Sequence, residues 1–563
     1  MNGRMPPWAR WTLLVAGLAT CVALGYGAYS LAGYSWDQVA TYESPFIGML
    51  PDAPASALAS PAPAPRLVLV IVDGLREDAA RTMGTLNTLQ GFGSDFSLVT
   101  PQPSLSYPDW TAILSGAPHD ITAVTTNWYE RPVEVPTLIG DAARAGKRTV
   151  IVGPSDLATL YPTELATASR FRDWHEGEYL TGQMVDDTLR LAEEADPEFV
   201  LLLVPDVDEA GHDFGGDSQG YAEVVAKVDA DLSRLVAGLS DEHTAFVVVA
   251  DHGHIDAGGH GGWEPEAVTV RAVFAGSGVA FGSGNARLID VAPTTAALMG
   301  MGPPAYAKGT VIPGIVASMP PAVTDAGARQ RAAFTRAYAD VLGYSALGVP
   351  RGSEEDAIAS ADAAYQRDGR VDRAWLALAG SVACVVALAI IGIASRRALA
   401  AALAGVAAYA AVYNGLFFLV HGHLWSLSAF NEEDMVDAWM NLRLAEAAIA
   451  LLVGAAVAAL VYPLLRREPP GPRGRYLSHW LALGPATAIA VLAFLGLQVA
   501  WYCWAWGPQV TALLPDLKWA FKYDLDLLQS TAVGFAALLT PLVTYLVGRF
   551  HPKVRVRRDG GGE

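Results

Sequence analysis

Residues 246–262 read FVVVADHGHIDAGGHGG, and this stretch decides the fold. A short apolar run rich in valine stops abruptly at Asp251 and His252. A run of this kind suits a strand buried on both faces, as in a parallel sheet. The polar, glycine-rich segment after it then lies beyond the strand's carboxyl end, where open α/β sheets bind their ligands. The same pattern recurs upstream. LVLVIV (67–72) runs into Asp73, and FVLLLV (199–204) runs into PDVDEAGH. TVIV (149–152) reads as a fourth strand, and residues 217–239 and 289–299 have helical character. Strands alternating with helices predict an α/β domain with a mostly parallel sheet flanked by helices.

Composition shows that this domain is only part of the chain. The protein has 563 residues, 52% hydrophobic and only 17% charged, with a net charge of −19. Soluble domains carry about 25% charged residues, so this chain is greasy without being disordered. Six apolar runs reach the roughly 20 residues needed to cross a bilayer. They are 11–31, 374–395, 398–420, 442–465, 480–501 and 527–547. The first is read as an uncleaved anchor, because its apolar stretch is long for a signal peptide. Arg4 and Arg10, Arg396 and Arg397, Arg466, Arg467, Arg473 and Arg475, and the basic residues after 548 all fall on one side of six spans. The excess of Lys and Arg on cytoplasmic loops places that side inside, and the α/β domain outside.

The expected organisation is a cytoplasmic N-terminus and anchor (1–33) and a Pro/Ala linker (34–65, including APASALASPAPAP). An extracytoplasmic catalytic domain (66–350) and a second linker (351–372) come next. A five-helix bundle (373–548) and a basic cytoplasmic tail (549–563) complete the chain. The expected location is the cell membrane, as a multi-pass protein with both termini cytoplasmic. Residues 34–371 hold 45 acidic and 21 basic side chains, so the acidic excess belongs to the outer part. Such a surface repels polyanions and excludes nucleic acid as a partner. Cys21, Cys384 and Cys503 all lie in apolar runs and define no disulfide framework.

Polar residues gather at or after the strand ends: Asp73, Asp208, His212, Asp251, His252 and His260. Mixed carboxylate and imidazole donors suit Zn²⁺, and Mn²⁺ less specifically. Paired cations can activate a nucleophile and neutralise phosphoryl oxygens. PSLSYPDWTAILSG (103–116) places Ser106 at the start of a helix, with Ser104 as the competing hydroxyl. Asp206 competes with Asp208, and the D-x-x-G-H spacing favours Asp208. His254 reads as a loop histidine. His119 reads as structural.

These segments resemble the alkaline phosphatase superfamily. IVDGLRED, the Ser106 segment, DEAGH, and DHG followed by GGHGG occur in its order, and DVAPTTAALMG (290–300) looks like its late helix. Most similar is the type I phosphodiesterase/nucleotide pyrophosphatase branch, which includes the glycosylphosphatidylinositol ethanolamine-phosphate transferases. The resemblance covers roughly residues 66–310. It implies an alkaline-phosphatase-like fold and two zinc ions. One would be held by Asp73, Asp251 and His252, with Ser106 bound to it as the catalytic nucleophile, and the other by Asp208, His212 and His260. It further implies a phosphodiester substrate and a seryl-phosphate intermediate, and the five C-terminal spans suggest that the substrate is a lipid or lipid-linked. Where nucleotide pyrophosphatases place Asn, three residues after the nucleophile, this chain has Asp109, a substrate-binding candidate for a cationic headgroup. Asn127, Trp128 and Tyr129 occupy the place of aromatic substrate contacts.

Three function classes therefore stand. The first is a metal-dependent phosphodiesterase or phosphoryl-headgroup transferase. The second is a transporter or channel with a non-catalytic outer binding domain. A sulfatase is weaker, because SYPDW lacks the arginine of the C/S-x-P-x-R motif. In the bundle, His421, His423, Glu432, Glu433 and Asp434 read as an outer connector, and Arg443 and Glu446 as an i, i+3 pair.

Overall fold

The computed structural model describes residues 7–50, 59–173, 175, 178–343, 354–430, 435–465, 473–507 and 517–550. Its centre is one sheet of eight strands: β1 (Arg66–Val72), β2 (Gly93–Val99), β3 (Thr149–Pro154), β4 (Ala168–Arg172), β5 (Phe199–Val204), β6 (Thr244–Ala250), β7 (Thr269–Gly276) and β8 (Gly282–Arg287). Their order across the sheet is β4-β3-β5-β1-β6-β7-β2-β8. All pairings are parallel except those of β7, which runs antiparallel to both β6 and β2. The sheet is thus mixed and mostly parallel. Every residue of β5 and β6 is buried, as is β1 after Arg66. Side chains point alternately to opposite faces, so both faces are covered.

The register aligns the strand ends. Val72 pairs with Val204 on one side and with Ala250 on the other. The three central strands therefore end level, and the segments after them emerge side by side.

Six helices among the described residues are long and apolar enough to cross a membrane: Leu14–Ala40, Ala374–Ala394, Arg396–Val420, Val436–Val461, His479–Ala505 and Leu517–Phe550. The first belongs to one helix, Pro7–Ala40, which runs well past the expected end of the anchor. The segment after it is no free linker where it is described. Phe46 stacks on Tyr338 at 4.5 Å, and Ala64 donates its N–H to Leu298 O. The segment expected to link the domain to the bundle is helical from Glu354 and continues unbroken into the second span, to Ala394. Asp362 on that helix pairs with Lys308 at 3.2 Å and accepts from the Tyr338 hydroxyl at 2.7 Å. The third span ends in a π-helical turn, Gly415–Val420. Residues 51–58, Glu432, Glu433, Asp434, Arg466, Arg467 and the tail beyond 550 lie outside the described residues.

Candidate active site

The three level strand ends deliver most of the site. Asp73 follows β1, Asp251 and His252 follow β6, and the helix Asp206–Phe214 brings in Asp208 and His212 after β5. Ser106 is the first residue of the helix Ser106–Ser115. Its Oγ lies 3.4 Å from Asp73 Oδ1 and 3.2 Å from His252 Nε2. Asp251 Oδ1 accepts from the N–H groups of Gly74 and His252, at 3.0 and 2.7 Å. Asp208 meets His212 at 3.3 Å, His254 at 2.8 Å and His260 at 3.7 Å. The imidazoles of His252 and His260 stack with ring centroids 3.9 Å apart.

Backbone carbonyls set the tautomers. His260 Nδ1 lies 2.9 Å from Ser104 O, and His252 Nδ1 lies 3.3 Å from Gly253 O. A carbonyl only accepts, so each Nδ1 carries the hydrogen and each Nε2 turns its lone pair into the site. Three combinations bring their donor atoms within 4.8 Å of one another: Asp73–Asp251–His252, Asp208–His212–His254 and Asp208–His252–His260. The first is the trio expected from the motifs. His254 is an addition that motif reading missed. Its ring lies where a side chain at Gly211 would be, since a Cβ there would come 2.5 Å from His254 Nε2. The glycine of D-x-x-G-H thus makes room for this histidine, a relation that only the folded chain reveals.

Charge in the site is unbalanced without a cation. Burial, and then the carboxylates of Asp251 and Asp208, push Asp73 well above the usual range for a carboxyl. Burial chiefly pushes Asp251 up to about 6. Burial pulls His252 down to about 3 and His254 to about 4, and holds His260 well below its ordinary value. Asp251 Oδ2 is buried with no hydrogen-bond partner among the described residues. Crowded carboxylates, neutral imidazoles and an orphaned carboxylate oxygen are the donor set that a divalent cation satisfies.

The remaining candidates take varied places. Asp206 accepts from the N–H groups of Leu180 and Thr181, holding the start of the helix Thr181–Ala195. Ser104 accepts from Gly261 N and donates to Gly262 O, so its hydroxyl shapes the glycine-rich loop. Asp109 is wholly buried, and neither carboxyl oxygen has a hydrogen-bond partner among the described residues. Burial holds its carboxyl well above the ordinary range. Asn127 Oδ1 accepts from Tyr107 N at 3.1 Å. With that N–H occupied, and Pro108 having none, this helix start keeps fewer donors for an anion than its position promises. Trp128 packs edge-on against Trp36 of the first long helix, with centroids 5.3 Å apart. Tyr129 is buried in the domain core.

Supports around the site were likewise invisible in the sequence. The Tyr221 hydroxyl donates to Gly74 O at 2.8 Å and accepts from Arg76 N at 2.9 Å, fixing the turn after Asp73. The connector between the third and fourth spans touches the glycine-rich loop. Gly262 N donates to Ser428 Oγ at 3.1 Å, and Trp263 Nε1 donates to Trp425 O at 2.9 Å. On that connector, His421 lies 2.8 Å from Glu446, which also pairs with buried Arg443 at 3.1 Å. The His423 ring stands 5.7 Å from Trp439.

Comparison with known proteins finds likenesses for this segment. Residues 67–262, the segment that carries the site, match the model of the type I phosphodiesterase/nucleotide pyrophosphatase family. Among whole proteins, the chain is similar to GPI ethanolamine phosphate transferase 1 of Yarrowia lipolytica, 28% identical over 262 residues. That match covers 38% of this chain and 27% of the relative. The same-named protein of Emericella nidulans is 29% identical over 282 residues, covering 42% and 30%. The chain thus spans less than a third of the length of these relatives. Among solved structures, murine ectonucleotide pyrophosphatase/phosphodiesterase 5 aligns with a TM-score of 0.36 and 13% identity, covering 42% of this chain and 94% of its own.

Proposed function

We propose that this protein is a membrane-embedded, metal-dependent enzyme that moves a phosphoryl headgroup, of the phosphoethanolamine kind, between lipid or lipid-linked alcohols. One observation carries the reading. The Ser106 hydroxyl sits at hydrogen-bond distance from His252 and Asp73, within a buried cluster of three carboxylates and four imidazoles. Asp73, Asp251, His252 and Ser106 would hold one cation. Asp208, His212 and His260, with His254 added, would hold another. Zn²⁺ fits these donors best, and Mn²⁺ second. Bound there, the cations would neutralise phosphoryl oxygens and favour the ionised form of the nucleophile.

The chain's own serine carries the transferred group. Ser106 gives up its proton to solvent, and Oγ forms a bond to phosphorus. The P–O bond to the donor alcohol breaks, and that alcohol leaves with the bonding pair and takes up a proton. An acceptor alcohol next gives up its proton to solvent and bonds to phosphorus, the P–Oγ bond breaks, and Ser106 Oγ takes up a proton. Water in place of the acceptor gives hydrolysis.

Orientation is read from charge and contact together. The ends of the spans nearest the α/β domain include Ala40, the connector at 421–430 and Leu517, whose N–H donates to Gln102. Among the described residues, Arg396 and Arg397 begin the third span and Arg549 lies near the end of the sixth, at the opposite ends. The catalytic domain is therefore read as extracytoplasmic and both termini as cytoplasmic. Similarity to named ethanolamine phosphate transferases supports a lipid-linked substrate.

The test uses full-length protein in nanodiscs containing headgroup-labelled phosphatidylethanolamine and an acceptor lipid alcohol. Label on the acceptor is the expected result, falling about 10³-fold or more for Ser106→Ala. Free headgroup phosphate instead would make the protein a hydrolase. Absence of any Ser106-dependent product, with zinc supplied, would sink the enzyme reading and favour the transporter.

A further inference from the structure

We infer that the connector between the third and fourth spans is a working part of the catalytic centre, with Ser428 as a positioning residue for His260. The inference rests on the reading of His260 as a metal ligand.

His260 belongs to the glycine-rich loop 258–262, and two anchors fix that loop. The first is internal: Ser104 takes the Gly261 N–H on its hydroxyl and His260 Nδ1 on its carbonyl. The second comes from the membrane bundle. Ser428 Oγ accepts from Gly262 N at 3.1 Å and donates to Glu264 Oε2 at 2.8 Å. Ser426 Oγ accepts from Ser428 N at 3.2 Å and so shapes the tip of the connector. On the flank, Trp263 bonds to Trp425 O, while the Lys518 ammonium at the start of the sixth span stands 4.1 Å above the Trp263 ring.

The fit is closed to water and to added atoms. Ser426, Ser428 and Glu264 are 1%, 2% and 5% exposed. A Cβ at Gly262 would lie 1.8 Å from Ser426 Oγ, so only glycine lets the connector come this near. Glu264 Oε1 has no hydrogen-bond partner among the described residues, so the Ser428 hydroxyl is the partner this buried carboxylate relies on. Removing that hydroxyl strands a buried N–H and a buried carboxylate together, which surrounding water cannot repair. The loop then loses this bond to the connector, and the His260 imidazole is left to the Ser104 anchor and its stacking on His252. Groups that orient metal ligands in this way typically cost 10–100-fold in metal affinity when removed.

The experiment compares full-length wild type, Ser428→Ala and Ser428→Thr in detergent. Zinc affinity is measured by competition with a chromophoric chelator, and amide hydrogen exchange is monitored across 258–263. Ser428→Ala is expected to weaken zinc binding by roughly 10–100-fold and to speed exchange of the Gly261 and Gly262 amides. Turnover per enzyme should fall with little change in KM, because the substrate contacts remain. Ser428→Thr keeps the hydroxyl and should restore most of the affinity. Wild-type affinity and wild-type exchange in Ser428→Ala would overturn the inference. If wild type itself binds no zinc, the reading of the centre fails, and the exchange comparison alone then decides whether the connector holds the loop.

Discussion

The outer α/β domain and the membrane bundle both bury polar groups, and they do so for different ends. In the domain, three carboxylates and four imidazoles crowd the carboxyl edge of β1, β5 and β6, a donor set that a divalent cation satisfies, and burial with the carboxylates of Asp251 and Asp208 pushes Asp73 up. In the bundle, two buried pairs are internal, Arg443 with Glu446 and Lys522 with Asp526, while Asp524 Oδ1 is buried with no hydrogen-bond partner among the described residues. One region leaves its charges unbalanced so that something can bind. The other balances Arg443 and Lys522 within the helices. The difference teaches that a buried ionisable residue points to chemistry when several such groups crowd together without neutralising one another.

The contrast can be broken from either side. Glu446→Gln removes the charge facing Arg443, whose side chain is fully buried. Loss of one partner of a buried pair costs roughly 3–5 kcal/mol, so the melting temperature in detergent should fall clearly. Replacing both residues with apolar ones should recover most of it. Turnover of a soluble aryl phosphodiester should stay near wild type where the protein remains folded, and its collapse would mean that the pair serves the centre after all. Gly211→Ala acts on the domain. It drives a methyl against the His254 ring, at a cost of about 1–3 kcal/mol for overpacking. Zinc content should fall with it, as measured by elemental analysis, whereas a strain that leaves zinc unchanged would place His254 outside the metal set. Trp36→Ala cuts the aromatic contact with Trp128 that joins the regions. The expected loss is about 1 kcal/mol, with unchanged turnover of the soluble diester and slower turnover of a lipid.

Legibility in the sequence divides along physical lines. β1, β3, β5 and β6 could be read because strands covered on both faces must be continuously apolar. β7 could not, since TVRAVFAG carries Arg271, which is buried through hydrogen bonds to Asp95, Asn87, Gln90 and Ala80 O. β2 contains Asp95, the partner of that arginine, and so reads as polar. β8, GSGNAR, is an exposed edge strand with no apolar pattern at all. In the site, Asp73, Asp208, Asp251, His252 and His260 stood out because each follows a strand end or lies in a glycine-rich run. His254 did not, because its role depends on space vacated by Gly211, 43 positions earlier in the chain. The connector at 421–430 was legible only as a polar loop between spans, since nothing local marks Ser428 as the partner of Gly262.

The helix Pro7–Ala40 also sets a distance. At about 1.5 Å per residue its 34 residues measure roughly 50 Å, against a hydrocarbon core of about 30 Å. Its upper end is fastened: Val39 O accepts from the Thr125 hydroxyl at 2.7 Å, and Trp36 abuts Trp128. The helix Glu354–Ala394 is equally continuous and is tied at Asp362. Two stiff columns therefore fix the distance between the strand-end cluster and the apolar spans, as a lathe fixes the height of its tool. On the proposed function, a substrate anchored in the same membrane would be selected by how far its phosphorus stands from the lipid surface, and the length of a spacer would become a specificity determinant independent of the headgroup's chemistry.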